Sequence, residues 1–437
     1  SAHGRNMRVV LDLVLNHTSD QHPWFLESRA SRDNPKADWY IWKDTIPNNW
    51  QSVFGGGAWT YARDRGQYYY HMFLPEQPDV NWRDPEVRRA QLEVVKFWLD
   101  RGVDGFRLDV FNVYFKDDRL RANPPRPALK PFERQVHLYD HDRPEMLPLL
   151  KELRALLDSY PETYAVGETF YSTPEKIIRY SGPDGLHAAF DFTFTHTPFN
   201  AARLLKPIQT WELAQREHGL WPNYVLGNHD VPRMGTRHAQ GEDDARLKVL
   251  LGLLLTLRGT PFLYYGEEIG MRDIKLKHTE ILDPPGKRFW PFFKGRDGCR
   301  SLMQWDASPN AGFSRQKPWL PVHPDYTARN VELQRADPGS LFNFTRRLIH
   351  LRKENPALQR GEFILLTPEA KDQLAYLRRT SNESILIALN FSSRNTRLDL
   401  PQDVAGRQGE LLLSTHSSAA RQDLSLAPHE IRLLKLS

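Results

Sequence analysis

Three observations predict the fold class: a (β/α) barrel followed by an all-β domain. Helices alternate with fully apolar strands along the first three quarters of the chain. Polar or acidic residues close those strands at Asn16, Asp109, Glu168, His229 and Asp230. After about residue 361 the helices stop and short alternating strands take over. Alternating helix and apolar strand is the signature of βα units on a parallel sheet, buried on both faces. Active residues at the C-terminal ends of several different strands follow the barrel rule. A doubly wound open sheet shares the alternation but gathers its site at one crevice.

The elements follow in order. SAHGRN reads as a helix tail, and Met7 to Leu15 as an apolar strand. Residues 20–78 are rich in Trp, Tyr, Pro, Gly and Asn without long periodicity, so they read as a small inserted domain. PEVRRAQLEVVKFWLDRG (85–102) is an amphipathic helix with Gly102 near its stop, and strand 103–108 follows. The unit then recurs as helix 146–161 with strand 164–168, helix 174–182 with strand 187–192, helix 199–219 with strand 223–229, and helix 245–259 with strand 261–266. Six strands result rather than eight, so two are expected before residue 1, on a preceding or companion segment. A Gly/Pro/Trp-rich stretch spans 270–330, and helix 341–356 closes the series. EFILL, LAYLRR, SILIALNFS, TRLDL, GELLLS and IRLLKL then form an expected β-sandwich with no helix between them. The expected domains are a catalytic barrel at 1–19 and 79–360, an inserted domain at 20–78, and a C-terminal sandwich at 361–437.

Composition narrows the function classes. The net charge of +5 comes without a long Lys/Arg tract, so nucleic acid is not an expected partner. The apolar stretch 247–265 is interrupted by Lys248, Arg258, Gly259 and Pro261, so no membrane span is expected. Cys299 is the single cysteine, which excludes an intrachain disulfide and suits a reducing, cytoplasmic setting. Abundant aromatic residues are compatible with stacking on the apolar faces of sugars.

GFRLDVF (105–111) carries the most chemistry. Residues i and i+2 of a strand face the same way, so Arg107 and Asp109 converge. An arginine keeps a neighbouring carboxylate ionised, which suits Asp109 as a nucleophile. Glu168 follows the apolar YAVG, where desolvation favours the protonated acid and the role of general acid. Asp230 follows His229 and is placed to bind ring hydroxyls and assist distortion toward the transition state. Two carboxylates flanking a glycosidic bond are the minimum kit for its cleavage. Each acid alone reads equally well as a turn or helix cap; three at strand ends favour the chemical reading. Asn16-His17 occupies the same topological position. The histidines are scattered without an HExxH pattern, so no catalytic metal is expected, while a structural calcium stays open. Gly55–Gly57 lacks the Lys-Ser/Thr of a phosphate loop. Glu267 and Glu268 read as local hydrogen-bonders, and Cys299 as an incidental thiol.

DLVLNHTSD (12–20), GFRLDVFN (105–112), VGETF (166–170) and LGNHDVPR (226–233) resemble, in order, the four signature regions of the α-amylase family of glycoside hydrolases. QPDVNW (77–82) resembles a further region. GRDGCRSLMQWD (295–306) is similar to a segment of the α-glucosidase, oligo-1,6-glucosidase and trehalose synthase branch. The resemblance implies a (β/α)8 barrel, N-terminally incomplete in this sequence, with a small domain after the third strand and a C-terminal antiparallel sandwich. It implies Asp109 as nucleophile, Glu168 as general acid/base and Asp230 as transition-state stabiliser. It also implies Arg107, His17 and His229 around the first glucose, with Asp12 structural beside it. Val110, after the nucleophile, resembles the α-1,6-preferring members. No cofactor is implied as required. The expected activity is a retaining α-glucosidase on short oligosaccharides or small α-glucosides, with transglycosylation. The alternatives are a trehalose synthase or other glucosyl-transferring isomerase, and a non-catalytic binding or assembly subunit.

Overall fold

The computed structural model describes residues 1–170, 174–241, 243–416 and 424–437. It comprises two compact units, Ser1–Phe190 and Asp191–Ser437.

The first unit is built on a parallel sheet of four strands. These are β1 (Val10–Leu13), β5 (Gly105–Leu108), β6 (Tyr164–Glu168) and β7 (Ala188–Phe190), adjacent in chain order. Between β1 and β5 lies an antiparallel sheet of β2 (Trp42–Lys43), β3 (Trp59–Ala62) and β4 (Gln67–Tyr70), in the order β2-β4-β3. The residues expected to be irregular at 20–78 therefore hold this sheet and the helix Pro23–Ala30. Their core is aromatic: Trp50, Trp59 and Tyr70 are all buried.

Local chemistry explains the helices. Asp84 caps Pro85–Leu99 by accepting from the backbone N–H of Glu86 at 2.7 Å, and Pro85 fills the first position where no donor is needed. Met146–Asp158 buries Met146, Leu149, Leu150, Leu153 and Leu157, one continuous stripe at helical spacing. Gly105 opens β5 with φ 155°, and a Cβ there would stand 1.8 Å from the carbonyl oxygen of Tyr164. Only glycine admits that approach of β6.

The second unit contains the parallel pair β8 (Asn223–Val225) and β9 (Thr260–Phe262). Helix Ala201–His218, capped by Asn200 at the N–H of Arg203 (3.0 Å), leads to β8, and the buried, leucine-rich Ala245–Thr256 leads to β9. The C-terminal residues form a five-stranded antiparallel sheet and a separate two-stranded one. The larger has the order β10 (Glu362–Leu365), β11 (Gln373–Arg379), β12 (Ser384–Asn390), β16 (Ile431–Leu436) and β14 (Gly409–Ser414). The smaller pairs β13 (Thr396–Arg397) with β15 (Ser425–Leu426). Arg378 of β11 is fully buried and donates to the carbonyls of Thr256 (2.6 Å), Leu358 (3.1 Å) and Gly361 (3.0 Å), tying this sheet to the helix before β9.

Two expectations need correction. The strands are shorter than their apolar runs: β1 begins at Val10 rather than Met7, and β9 ends at Phe262 rather than Gly266. There Gly266 adopts φ 83° and turns the chain into a short helical segment, Glu267–Ile269. A helical turn, Gln402–Ala405, also interrupts the C-terminal strands. Four residues after Pro401 are too few to leave a periodic signal.

Candidate active site

In the first unit, the sheet register brings the acids together. Arg107 on β5 lies beside Asp12 on β1 and Val166 on β6. Two residues on, Asp109 and Glu168 close their strands on the same side as Arg107. The guanidinium gathers all three acids. Its Nη1 donates to Asp12 Oδ1 at 2.7 Å and to Asp109 Oδ1 at 2.6 Å, while Nη2 donates to Glu168 Oε2. Burial opposes the charge of Arg107, but Glu168, Asp109 and Asp12 outweigh it and raise its pKa. Glu168 is the most buried of the three, at 10 % side-chain exposure, against 20 % for Asp109 and 57 % for Asp12. The surroundings of Glu168 are thus not simply apolar: YAVG buries it, and Arg107 lies against it.

His17 belongs to a neighbouring network. Asn16 Nδ2 donates to Asp79 Oδ2 at 2.9 Å and lies 3.3 Å from His17 Nδ1. His17 Nε2 is 3.1 Å from Gln77 Nε2. Beneath them Lys116 and Asp79 form a buried ion pair at 2.8 Å, and Lys116 also donates to Asn16 Oδ1 at 3.1 Å. Burial lowers the His17 pKa, Asp79 and Asp109 oppose the shift, and Lys116 adds to it. A largely neutral His17 at pH 7 is the consequence.

Val110 is 4 % exposed and sits in the cluster with Trp50, Trp59, Tyr70, Met72 and Phe73. Its φ of 34° is left-handed, which is costly for a β-branched residue.

Asp230 and His229 belong to the second unit. Asp230 Oδ1 accepts from Arg300 Nη2 at 2.9 Å and Arg296 Nη1 at 3.1 Å, and His229 Nε2 lies 3.4 Å from Oδ2. Arg300 Nε also holds the carbonyl of His229 at 2.8 Å. Asn228 Oδ1 accepts from the Asp230 N–H at 2.8 Å and shapes the turn.

Sequence reasoning passed over Asp79, Lys116, Arg296 and Arg300. Three of them lay in plain view within QPDVNW and GRDGCRS. It also passed over His137, Asp140 and His141, in which each imidazole Nδ1 is 2.9 Å from an Asp140 oxygen. Among the described residues this is the group with metal-ligand character. Its two nitrogens to one carboxylate do not fit calcium, which takes oxygen ligands. His137 Nε2 also faces the Phe132 carbonyl, at 3.0 Å. Burial works against the Asp140 charge, but His141 and His137 outweigh it and hold the carboxyl well below its usual range.

Residues 1–361 match the model of the α-amylase catalytic domain. The chain belongs to the α-amylase family. Residues 363–433 match the C-terminal domain of maltogenic amylase. The chain is 43 % identical over 424 residues to a probable α-glucosidase of Rhizobium meliloti, covering 92 % of this chain and 76 % of that one. It is 36 % identical to an oligo-1,6-glucosidase of Parageobacillus thermoglucosidasius, covering 99 % and 84 %. The crystal structure of XgtA, an α-glucosyl transfer enzyme, superposes with a TM-score of 0.91 at 38 % identity, covering 100 % of this chain and 84 % of that one. The six parallel strands are thus those of a (β/α)8 barrel of which this sequence holds six units, followed by the antiparallel C-terminal domain. The protein is an enzyme of the glycosidase and glycosyl-transferring chemistry of α-glucosides. Among the described residues no helix is long and apolar enough to cross a membrane.

Proposed function

We propose that the enzyme is a retaining α-glucosyl transferase. It takes the terminal glucose of a small α-glucoside onto Asp109 and passes it to a sugar hydroxyl, with water as the competing acceptor. The observation that carries the retaining mechanism is Arg107 hydrogen-bonded to both Asp109 and Glu168. Retaining enzymes place their two carboxyl groups ~5–5.5 Å apart, a gap that one guanidinium bonded to both spans. Support for transfer comes from the likeness to XgtA over the whole chain.

In the first step an Asp109 oxygen attacks the anomeric carbon while Glu168 gives its proton to the departing glycosidic oxygen. The C–O bond to the leaving sugar breaks and a β-glucosyl ester forms. In the second, the Glu168 carboxylate takes the proton of an acceptor hydroxyl, whose oxygen attacks the same carbon and frees Asp109. Two inversions restore the α configuration. Asp230 stabilises the oxocarbenium-like charge, and His17, His229 and Arg107 orient the glucose with Asp12 beside them. The chemistry runs on carboxylates and requires no cofactor; a structural calcium is a separate proposal. A reducing, cytoplasmic setting suits the single thiol.

Hydrolysis as the main outcome is the second reading, favoured by the relatives named α-glucosidase and oligo-1,6-glucosidase. Incubation with maltose and with isomaltose, followed by chromatography of the products, separates the two. New di- and trisaccharides, with fewer than two glucose molecules released per disaccharide consumed, support transfer. Glucose alone from both substrates, at all substrate concentrations, refutes it, and trehalose from maltose would make the enzyme an isomerase.

A further inference from the structure

We infer that Asp283 is a positioning residue that acts on Asp230 through Arg296; the inference rests on the proposed role of Asp230. Asp283 lies 53 residues from Asp230 in sequence and its side chain is 1 % exposed. Its carboxylate takes the inner edge of the Arg296 guanidinium: Nη2 donates to Oδ1 at 2.7 Å, and Nε stands 3.2 Å from each oxygen. Oδ2 also accepts the backbone N–H of Arg296 at 2.9 Å, so main chain and side chain are gripped together. The remaining nitrogen, Nη1, is thereby aimed at Asp230 Oδ1, 3.1 Å away.

The grip is itself supported. Asp297 Oδ2 accepts the N–H groups of Leu282 (2.6 Å) and Asp283 (2.9 Å), which fixes the backbone under the Asp283 side chain. Gly295, at φ 79°, leaves the space the carboxylate needs, since a Cβ there would stand 2.8 Å from Asp283 Oδ2. Burial opposes the charge of Arg296, yet hydrogen bonding to Asp283 and the charge of Asp230 raise its pKa above the ordinary value. A guanidinium held along one edge keeps one direction for its other end. Arg296 is consequently a fixed donor to Asp230 rather than a mobile surface arginine, and Asp283 is the reason. Asp283 touches neither Asp230 nor, in the reaction above, the sugar.

The test is a double-mutant cycle on the full chain, read with p-nitrophenyl α-glucoside. Asp283→Asn keeps the shape and removes the charge. It is expected to lower kcat about 20- to 100-fold, the scale of a misplaced catalytic group, with KM within about threefold and thermal unfolding still cooperative. Arg296→Lys keeps a cation that cannot bridge the two carboxylates and should give a similar loss. The two losses combined should fall no more than about threefold below the worse single variant, because both break one link. Asp283→Glu, with charge retained, should recover part of the rate. A kcat for Asp283→Asn within threefold of the parent, or fully additive losses, overturns the inference. Should Asp283→Asn fail to fold, Asp283→Glu and Arg296→Lys run the same cycle, with additivity again the refuting result. Asp230→Asn is measured alongside. If it retains full activity, the reading of Asp230 fails, whereas an inactive Asp230→Asn beside a fully active Asp283→Asn removes only the role of Asp283.

Discussion

The two acid clusters are built on opposite charge ratios. In the first unit one guanidinium, Arg107, serves three carboxylates, Asp12, Asp109 and Glu168. In the second, two guanidinia, Arg296 and Arg300, converge on a single oxygen of Asp230. The difference matches the role proposed for each cluster. A nucleophile and an acid/base must change charge during turnover: in the proposed reaction Asp109 becomes a neutral ester and Glu168 gains and loses a proton. A shared arginine tolerates this, because it always retains a partner. A carboxylate that acts only by its field has no such need, and two donors on one oxygen fix its direction. Acid-rich surroundings suit groups that react, and arginine-rich surroundings suit a group that stays put.

The largest expected effect breaks the acid-rich side. Asp109→Asn should lower kcat by at least about a thousandfold, roughly 4 kcal/mol in the barrier. Arg107 keeps two of its partners, so the melting temperature should move by only a few degrees. Retained turnover on p-nitrophenyl α-glucoside would remove Asp109 from the mechanism. Next is the asymmetry in the arginines. Arg107→Gln leaves three carboxylates without their common counter-charge and should cost about 3 kcal/mol of stability by urea titration. Arg300→Gln leaves Arg296 on Asp230 and should cost about 1 kcal/mol or less, because both partners are roughly a quarter exposed. Equal losses would show that the charge ratio does not distinguish the clusters.

Much of this contrast was legible in one dimension, and the reasons differ by residue. Arg107 and Asp109 were paired by strand periodicity alone, and their 2.6 Å contact agrees. Glu168 was placed by the end of an apolar run. Its contact with Arg107 was not foreseen, because parallel register between β5 and β6 brings together residues 61 apart. Lys116 and Asp79 stayed hidden for the same reason: a buried ion pair leaves no periodic trace, and each residue alone looks like a surface charge. Arg296 and Arg300 sat inside a motif already singled out, but the long reach of an arginine hides its target until the loops are placed. The fold class followed from strand and helix alternation, whereas exact strand ends depended on turns such as that at Gly266.

A smaller effect belongs to an acid of the second unit with no arginine at hydrogen-bond distance among the described residues. Glu267 is 3 % exposed; its Oε2 accepts the Tyr264 N–H at 3.0 Å, and its Oε1 has no hydrogen-bond partner among the described residues. Burial raises its pKa to about 8, against weaker opposing pulls from the Tyr264 N–H, Arg237 and Arg233. Between its unfolded value of 4.5 and about 8, the folded state binds the extra proton. Stability is therefore full below pH 4.5 and is lost as pH rises toward 8. Glu267→Gln, neutral at every pH, should flatten that decline and be the more stable of the two at about pH 7.5. A parent stability that rises between pH 5 and 8, corrected for other groups by the variant, would refute the neutral buried acid.

The smallest effect concerns Val110, between Asp109, the proposed nucleophile, and the aromatic cluster of the inserted sheet. It is buried, so its influence on the leaving sugar passes through the core cluster it shares with Phe73 and Trp50. One methyl group at such a wall is worth about 1–3 kcal/mol of discrimination. Its left-handed backbone holds Asp109 just before it, so the substitution must not add freedom there. Val110→Thr keeps the branching and nearly the volume, and exchanges one methyl for a hydroxyl. If Val110 sets linkage preference, the ratio of kcat/KM for isomaltose over maltose should fall about five- to tenfold, with the rate on p-nitrophenyl α-glucoside nearly unchanged. A uniform loss on all three substrates would instead assign Val110 to holding the Asp109 turn. The strain at φ 34° would then serve the acid-rich cluster rather than the choice of sugar.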